Sequence, residues 1–188
     1  MAAYLITGNP GSGKTTVALE LTRRGHTALD TDEIAGWETA EGRAVGQPHH
    51  PTDEWLRKHR WVWRRSRLED AIRVREAAGR PVFLCGTAVN QREMLDCFDL
   101  VFLLSLDDTT QLDRLDTASN AHRNAAQRAQ IVRGRPVFEE EMRAAGALVL
   151  ATAHKIMLAP SKELMERIMQ PRAYGFAGRA RIPHTRLG

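Results

Sequence analysis

The octapeptide GNPGSGKT occupies residues 8–15 and directly follows the apolar run Tyr4–Ile6. Its members are Gly8, Asn9, Pro10, Gly11, Ser12, Gly13, Lys14 and Thr15. They match the phosphate-binding pattern G-x-x-x-x-G-K-[ST] at every specified position. In such a loop the glycines let the backbone curl, so that successive N–H groups and the N-terminus of the next helix point at the phosphates. The octapeptide therefore predicts a nucleoside-triphosphate-binding loop between a strand and a helix.

The pattern also assigns roles within the loop. Lys14 is expected to reach the β- and γ-phosphate oxygens, and Thr15 is expected to ligate Mg²⁺. The following residues place Val17, Ala18 and Leu21 on one face of a helix. We expect residues 8–16, Thr16 included, to hold ATP, with Mg²⁺ as the second cofactor.

The composition fits an ordinary globular chain, because 43% of its 188 residues are hydrophobic and 27% are charged. This length can bury one core, so we expect a single domain over 1–170. The chain lacks an apolar run long enough for a membrane span and a signal-peptide pattern at 1–8, which favours a cytoplasmic protein without a membrane partner. Cys85 and Cys97 are expected to be buried free thiols, and no histidine spacing indicates zinc.

The positive charge is concentrated at one end. Residues 171–188 hold four arginines and no acid, which equals the formal net charge of +4 for the whole chain. Proline and glycine interrupt this stretch, so it predicts a basic, irregular C-terminal tail. The remaining chain is neutral, which disfavours nucleic acid as a partner and leaves a small-molecule acceptor.

Short β-rich runs alternate with amphipathic stretches over the rest of the chain. This order predicts an α/β fold, a three-layer sandwich in which a five-stranded parallel sheet has helices on both faces. The expected strands are Tyr4–Thr7, Thr27–Asp30, Pro81–Cys85, Leu100–Leu104 and Ala147–Ala151. The expected helices are 14–24, about 53–78, 90–97, 108–116, 136–145 and 160–169.

Two regions interrupt the alternation. Residues 36–67 are rich in tryptophan and arginine, and residues 116–135 are polar and carry arginines. Binding segments project from the carboxyl ends of parallel strands. We therefore expect a substrate-binding insertion at about 36–67 and a closing lid at about 116–135.

Two carboxylates follow the second strand, in Asp30-Thr31-Asp32. On an extended segment residues i and i+2 point to the same side. Asp30 could then hold the metal ion while Asp32 orients or deprotonates an attacking hydroxyl. The alternative is that either aspartate caps a helix that starts near Glu33.

The third strand ends in Gly86-Thr87 without an acidic metal ligand, which gives more weight to Asp30. Gly86, Thr87, Asn90 and Arg92 follow closely enough to contact a substrate, although Asn90 could instead cap the next helix. The guanine-specifying Asn-Lys-x-Asp pattern is absent from the chain, so a regulatory GTPase is disfavoured.

Arginines are expected to supplement Lys14 at the γ-phosphate. Arg114, Arg123 and Arg128 lie in or beside the polar stretch after the fourth strand, where solvated surface positions are the alternative. The tryptophans at 55–63 could stack on an aromatic or sugar substrate or simply pack.

Taken together, the loop, Asp30-Thr31-Asp32, Gly86 and the arginines at 114 and 123 resemble the small P-loop kinases, over residues 1–169. This family includes shikimate kinase, gluconate kinase and the nucleoside monophosphate kinases. The resemblance implies a five-stranded parallel core, an acceptor-binding insertion and an arginine-bearing lid. By resemblance to shikimate kinase, Asp30 organises Mg²⁺, Asp32 contacts the acceptor hydroxyl and Arg123 is the lid arginine. The chain departs from that family after Gly86 and in its basic, tryptophan-rich segment.

Several functions fit these features. A kinase acting on the hydroxyl of a small molecule would use Lys14, Asp32 and Arg123 as catalytic residues. In a nucleoside monophosphate kinase, arginines such as Arg57, Arg64 and Arg92 would clamp the acceptor phosphate. A polynucleotide 5′-hydroxyl kinase is disfavoured by the neutral body of the chain. A non-catalytic ATP-binding module is supported by Ala118, at a position where relatives carry another lid arginine.

Overall fold

The computed structural model describes residues 2–49, 51–76, 80–117, 125–152 and 162–175. In chain order its helices and strands are β1 (Ala3–Thr7), α1 (Lys14–Arg23), β2 (Thr27–Asp30), β3 (Ala35–Thr39), β4 (Ala44–Val45), α2 (Asp53–Lys58), β5 (His59–Trp63), α3 (Arg65–Glu76), β6 (Val82–Cys85), β7 (Leu100–Ser105), α4 (Asp108–Thr117), α5 (Ala125–Ala144), β8 (Leu148–Ala151) and α6 (Lys162–Met169). Short 3-10 helices cover Thr31–Glu33, Gln91–Cys97 and Pro171–Tyr174.

The main sheet has five parallel strands in the order β2-β6-β1-β7-β8. All five predicted strands are present, each within one residue of its expected bounds. The central strand β1 is buried along its whole length. Because parallel strands align their carboxyl ends, the loops after β1, β2 and β6 meet at one edge of the sheet.

Two apolar clusters lie on opposite faces of this sheet. Successive side chains of a strand point to opposite sides, so Leu5 and Ile6 of β1 enter different clusters. Ile6 packs with Val17 of α1 and Met165 of α6, while Leu5 packs with α3, α5 and the 3-10 helix 91–97. Helices therefore cover both faces, and the predicted three-layer α/β fold is confirmed.

A second sheet lies in the segment between β2 and α3. It has three antiparallel strands in the order β4-β3-β5, with Ala35 opposite Trp63 and Trp37 opposite Trp61. The prediction of one continuous helix over about 53–78 is wrong, since the segment divides into α2, β5 and α3. Hydrogen bonding to β3 overrides the helical tendency of these residues. The alternation of His59, Trp61 and Trp63 with other residues was the strand signal.

Helix α5 also differs from the prediction. It starts at residue 125 rather than 136 and contains Pro136. A proline inside a helix costs about 3 kcal/mol, which the contacts of α5 with the rest of the fold must offset. Of the expected lid, residues 118–124 lie outside the described residues and 125–135 form the first half of α5.

The tail is described only as far as residue 175, with a 3-10 helix at Pro171–Tyr174. Over the described residues, each helix is too short or too polar to cross a membrane.

Candidate phosphate-binding site

The loop between β1 and α1 requires glycine at several positions. Gly11 and Gly13 adopt left-handed backbone conformations, with φ values of 86° and 96°. A Cβ atom at Gly8 would lie 2.5 Å from Oγ of Ser12 and 2.7 Å from the carbonyl oxygen of Leu104. The absence of side chains at these glycines thus allows the backbone to curl tightly, as a phosphate-binding loop requires.

Lys14 lies over the start of this loop. Its Nζ donates hydrogen bonds to the carbonyl oxygens of Gly8 at 2.7 Å and Asn9 at 3.1 Å. Gly13 at the N-cap has no side chain to accept from the first N–H groups of α1, and the first turn holds no acid. The positive end of α1 and the Lys14 ammonium therefore form an anion-binding environment.

Thr15 and Asp30 come together beside the loop. The Thr15 hydroxyl donates to Oδ2 of Asp30 at 3.2 Å, and Oδ1 of Asp30 accepts from the backbone N–H of Asp32 at 3.1 Å. Asp30 therefore caps the 3-10 helix 31–33, and its other carboxylate oxygen faces Thr15.

Asp32 does not follow the expected geometry. The chain turns into the 3-10 helix immediately after Asp30, so the argument that Asp30 and Asp32 share one side of an extended segment is wrong. Asp32 is exposed on this helix, two residues from Asp30. The capping bond from Asp30 produces the turn, and this bond competes with continued strand geometry.

The described residues contain no group of three or more histidines, cysteines, aspartates or glutamates able to hold a metal ion. A hydroxyl and a carboxylate beside a phosphate loop nevertheless fit Mg²⁺, which takes one or two protein ligands and completes its shell with phosphate oxygens and water. Thr15 and Asp30 are the residues that would hold it.

Cys85 lies directly beside Asp30 in the sheet, since the two residues pair between β2 and β6. Burial, followed by the nearby charge of Asp30, raises the pKa of the Cys85 thiol far above its ordinary value, while Lys14 acts in the opposite direction. Both cysteines are buried and free, as expected. Cys85 is therefore a packing residue rather than a nucleophile.

Helix α4 covers the outer side of the loop. Nε2 of Gln111 donates to the carbonyl oxygen of Pro10 at 2.9 Å, and Nη1 of Arg114 donates to that of Gly11 at 3.1 Å. Both side chains are buried. Burial lowers the pKa of the Arg114 guanidinium, and the negative charge of Asp107 partly offsets this effect by raising it. The sequence indicated Arg114 but missed Gln111, although the i,i+3 spacing places both on one helical face.

The predicted acceptor residues at the end of β6 have structural partners. The backbone of Gly86 approaches Thr31 so closely that a Cβ would lie 1.7 Å from Oγ1 of Thr31. The Thr87 hydroxyl donates to Oε1 of Gln91 at 3.0 Å. These residues lie beside Asp30, because β6 pairs with β2.

The side chain of Asn90 does not cap the following helix. Its Oδ1 accepts from the backbone N–H of Trp63 at 3.0 Å, and its Nδ2 donates to the Trp63 carbonyl at 2.8 Å. The backbone N–H of Val89 also donates to the Trp61 carbonyl at 3.0 Å. The residues after β6 therefore hold β5 of the second sheet, a role that only tertiary structure reveals.

The other predicted arginines lie on different elements or outside the described residues. Arg92 is exposed, with Nη1 3.9 Å from Oε1 of Glu141. Arg57 and Arg64 are exposed, Arg57 on α2 and Arg64 between β5 and α3. Arg123 lies outside the described residues, and Arg128 forms an ion pair with Asp116 at 2.9 Å.

No family model and no curated protein matches this chain in sequence. Solved structures do match its fold. The shikimate kinase of Acinetobacter baumannii in complex with shikimate is 21% identical, with 93% of this chain and 94% of that chain covered and a TM-score of 0.53.

Two further kinase structures align over nearly the whole chain. A sugar kinase from Janibacter sp. HTCC2649 is 18% identical, with coverage of 92% and 97% and a TM-score of 0.52. A gluconokinase from Sinorhizobium meliloti 1021 is 15% identical, with coverage of 93% and 97% and a TM-score of 0.50. The chain therefore has the fold of the small P-loop kinases, as its sequence resemblance predicted.

Proposed function

We propose that this chain is a phosphotransferase that uses ATP and Mg²⁺ to phosphorylate a hydroxyl group of a small molecule. The observation that supports it most is the arrangement of Lys14, Thr15 and Asp30 around a loop shaped by glycine. The neighbouring structures are named for shikimate, sugar and gluconate kinases, and all these compounds carry hydroxyl groups.

When bound, Mg·ATP supplies the γ-phosphoryl group, whose phosphorus forms a bond to the acceptor oxygen as its bond to the β–γ bridging oxygen breaks. Lys14 and the loop N–H groups stabilise negative charge on the phosphates. Thr15 and Asp30 would hold the metal ion. The Asp32 carboxylate accepts the proton of the acceptor hydroxyl.

The surrounding segments would complete the site. Arg114 holds the loop from the side of α4, and Arg123 adds positive charge from the lid at 116–135. The insertion at 36–67, with Arg57 and Arg64, and the residues from Gly86 to Arg92 would bind the acceptor. Of these last residues, Asn90 acts by holding the insertion.

A nucleoside monophosphate kinase is the second candidate. It is favoured by Arg57 and Arg64, which are exposed basic side chains of the insertion. Two such cations suit an acceptor that already carries a phosphate.

The test is ADP release from ATP and Mg²⁺ over a panel of mononucleotides, nucleosides, sugars, cyclitols and aminoglycosides. Lys14→Ala provides the blank. Turnover with a hydroxyl compound, lost in Lys14→Ala and in Asp32→Asn, is the expected result, with ATP affinity retained in Asp32→Asn. Turnover confined to mononucleotides would establish the second candidate. Tight ATP binding without any acceptor-stimulated turnover would overturn both in favour of a non-catalytic module.

A further inference from the structure

Helix α5 carries a buried carboxylate at the carboxyl end of β7. The Glu139 side chain is only 7% exposed. It accepts hydrogen bonds from the Ser105 hydroxyl at 2.9 and 2.8 Å, and Nη2 of Arg143 lies 2.8 Å from its Oε2. A buried charge requires such partners, because removing one leaves the charge uncompensated. Glu139 therefore fixes the position of α5 against the strand next to β1.

Arg135 lies one turn earlier on α5, with Nη1 3.8 Å from Oε1 of Glu139. The same guanidinium donates to the carbonyl oxygen of Leu106 and to Oδ1 of Asp108. Leu106 follows β7, and Asp108 is the first residue of α4. Arg135 thus joins α5 to the start of α4, and its side chain is only 15% exposed.

The start of α4 is a well-defined unit. Asp107 caps it, since Oδ1 accepts from the backbone N–H of Thr110 at 2.8 Å and Oδ2 accepts from the Thr110 hydroxyl at 2.7 Å. These two bonds hold the pKa of Asp107 below its ordinary value. The backbone N–H of Gln111 donates to the Asp107 carbonyl at 3.0 Å, so the turn that contains Asp108 is bonded directly to Gln111.

Gln111 and Arg114 then hold the carbonyl groups of Pro10 and Gly11. The contacts form a series from α5 through Arg135 to α4, and from α4 to the phosphate-binding loop. The loop binds anions through its backbone N–H groups, so its affinity depends on how its peptide planes are held.

We propose that Arg135 is a positioning residue for the phosphate-binding loop. It fixes the first turn of α4, and α4 in turn holds Pro10 and Gly11 in the geometry that surrounds a phosphate. The inference rests on the proposed function only in requiring that the loop bind a nucleotide.

Arg143 provides a matched control. Both arginines lie on α5 and contact Glu139, but Arg143 forms no bond to α4 among the described residues. Arg143→Gln therefore reports the loss of one cation beside Glu139. Arg135→Gln reports that loss together with release of the α4 start.

The experiment is calorimetric titration of ADP with Mg²⁺ into the full-length wild-type chain, the two single variants, Asp108→Ala, and the double variant Arg135→Gln/Asp108→Ala. We expect Arg135→Gln to raise the Kd for ADP about tenfold, on the order of one charge-assisted hydrogen bond. Arg143→Gln should lower the Tm by an amount comparable to Arg135→Gln, but its Kd for ADP should stay within about twofold of the wild-type value. The double variant should bind no more weakly than Arg135→Gln alone, because both substitutions break the same contact.

Equal effects of Arg135→Gln and Arg143→Gln on the Kd would overturn the inference, as would an unchanged Kd in Arg135→Gln. If Arg135→Gln does not fold, Asp108→Ala decides the question, since it removes the acceptor for Arg135 and, with the Asp108 side chain 63% exposed, spares the core. An unchanged Kd in that variant then counts against the inference. A wild-type chain that binds neither ADP nor ATP would overturn the proposed function, and this inference with it.

Discussion

The hydroxyl of Thr15 and the carboxylate of Asp30 meet beside the glycine loop, with Oγ1 of Thr15 3.2 Å from Oδ2 of Asp30. The second oxygen of Asp30 caps the helix that carries Asp32. One side chain therefore connects the proposed metal position to the proposed base. A substitution at Asp30 therefore affects both the metal position and the position of Asp32, unless the new side chain keeps the capping bond.

Asp30→Asn separates these two roles. The amide oxygen of asparagine can still accept from the N–H of Asp32, so the free energy of unfolding should change by less than about 1 kcal/mol. The negative charge is lost, so the Mg²⁺ concentration for half-maximal turnover should rise about tenfold or more. A Mg²⁺ titration of turnover, with urea unfolding as the stability control, checks both. Unchanged Mg²⁺ dependence would remove Asp30 from the metal position.

Gly86→Ala should displace the segment that holds Asp30 and Asp32. The new Cβ would lie 1.7 Å from Oγ1 and 3.0 Å from Cβ of Thr31, a residue that is fully buried. We expect a loss of about 1–3 kcal/mol in the free energy of unfolding, as for other overpacked sites, measured in urea. Adding Thr31→Ala should recover part of this loss, because it removes the nearer atom.

Gly134→Ala is the matched control for that substitution. Gly134 lies in α5, and its added Cβ would have no heavy atom within 4 Å. Alanine favours the helix, so this variant should gain about 0.5–1 kcal/mol. A similar loss in both variants would show that the Thr31 contact is not the cause.

Asn90→Ala should detach β5 from the core. It removes the partners of both backbone groups of Trp63, whose side chain is 1% exposed. Each buried group left unpaired costs about 1–3 kcal/mol, so unfolding followed by tryptophan fluorescence should shift to markedly lower urea. Gln47→Ala removes an exposed hydrogen bond to Trp37, so it should shift the urea midpoint of unfolding by much less. Equal shifts in the two variants would contradict the anchoring role of Asn90.

His26 should make the fold less stable in mild acid. Burial lowers the pKa of His26, with smaller effects from Arg80 and Arg24, and the ring lies edge-on to Phe83 at 5.7 Å between centroids. The folded chain disfavours the charged ring, so the unfolded chain binds more protons below about pH 6.5 and stability falls as the pH drops through that value. Above about pH 6.5 the ring is neutral in both the folded and the unfolded chain, so His26 then causes no loss of stability.

Thermal unfolding at several pH values checks this. Replacing the ring by His26→Gln should reduce the loss of Tm between neutral and mildly acidic pH, and His49→Gln, at an exposed position, is the control for a surface histidine substitution. A Tm profile identical in wild type and His26→Gln would exclude a contribution from His26.

The sequence was sufficient for the main sheet because its strands are buried on both faces. Such strands appear as short apolar runs bounded by turn residues, for example Val82–Cys85 before Gly86. The phosphate loop was equally predictable, since its geometry imposes glycine at fixed positions. These features depend on local sequence.

The features that were missed depend on contacts between distant residues. His59–Trp63 forms a strand because β3 lies beside it, and Pro136 lies within a helix whose contacts offset its cost. Asn90 binds a backbone 27 residues away. Asp32 leaves the extended path because a bond from Asp30 turns the chain. No pattern at these positions specifies the partner.

The antiparallel pairing of Ala35 with Trp63 has a consequence for how such a protein can change. The chain leaves the core and returns to it at adjacent points, so the 27 intervening residues form a loop that is closed at its base. Loops closed in this way can be exchanged or lengthened at little entropic cost. Under the proposed function, a new acceptor preference could thus arise by grafting a different segment between Ala35 and Trp63, with the phosphate-binding loop inherited unchanged.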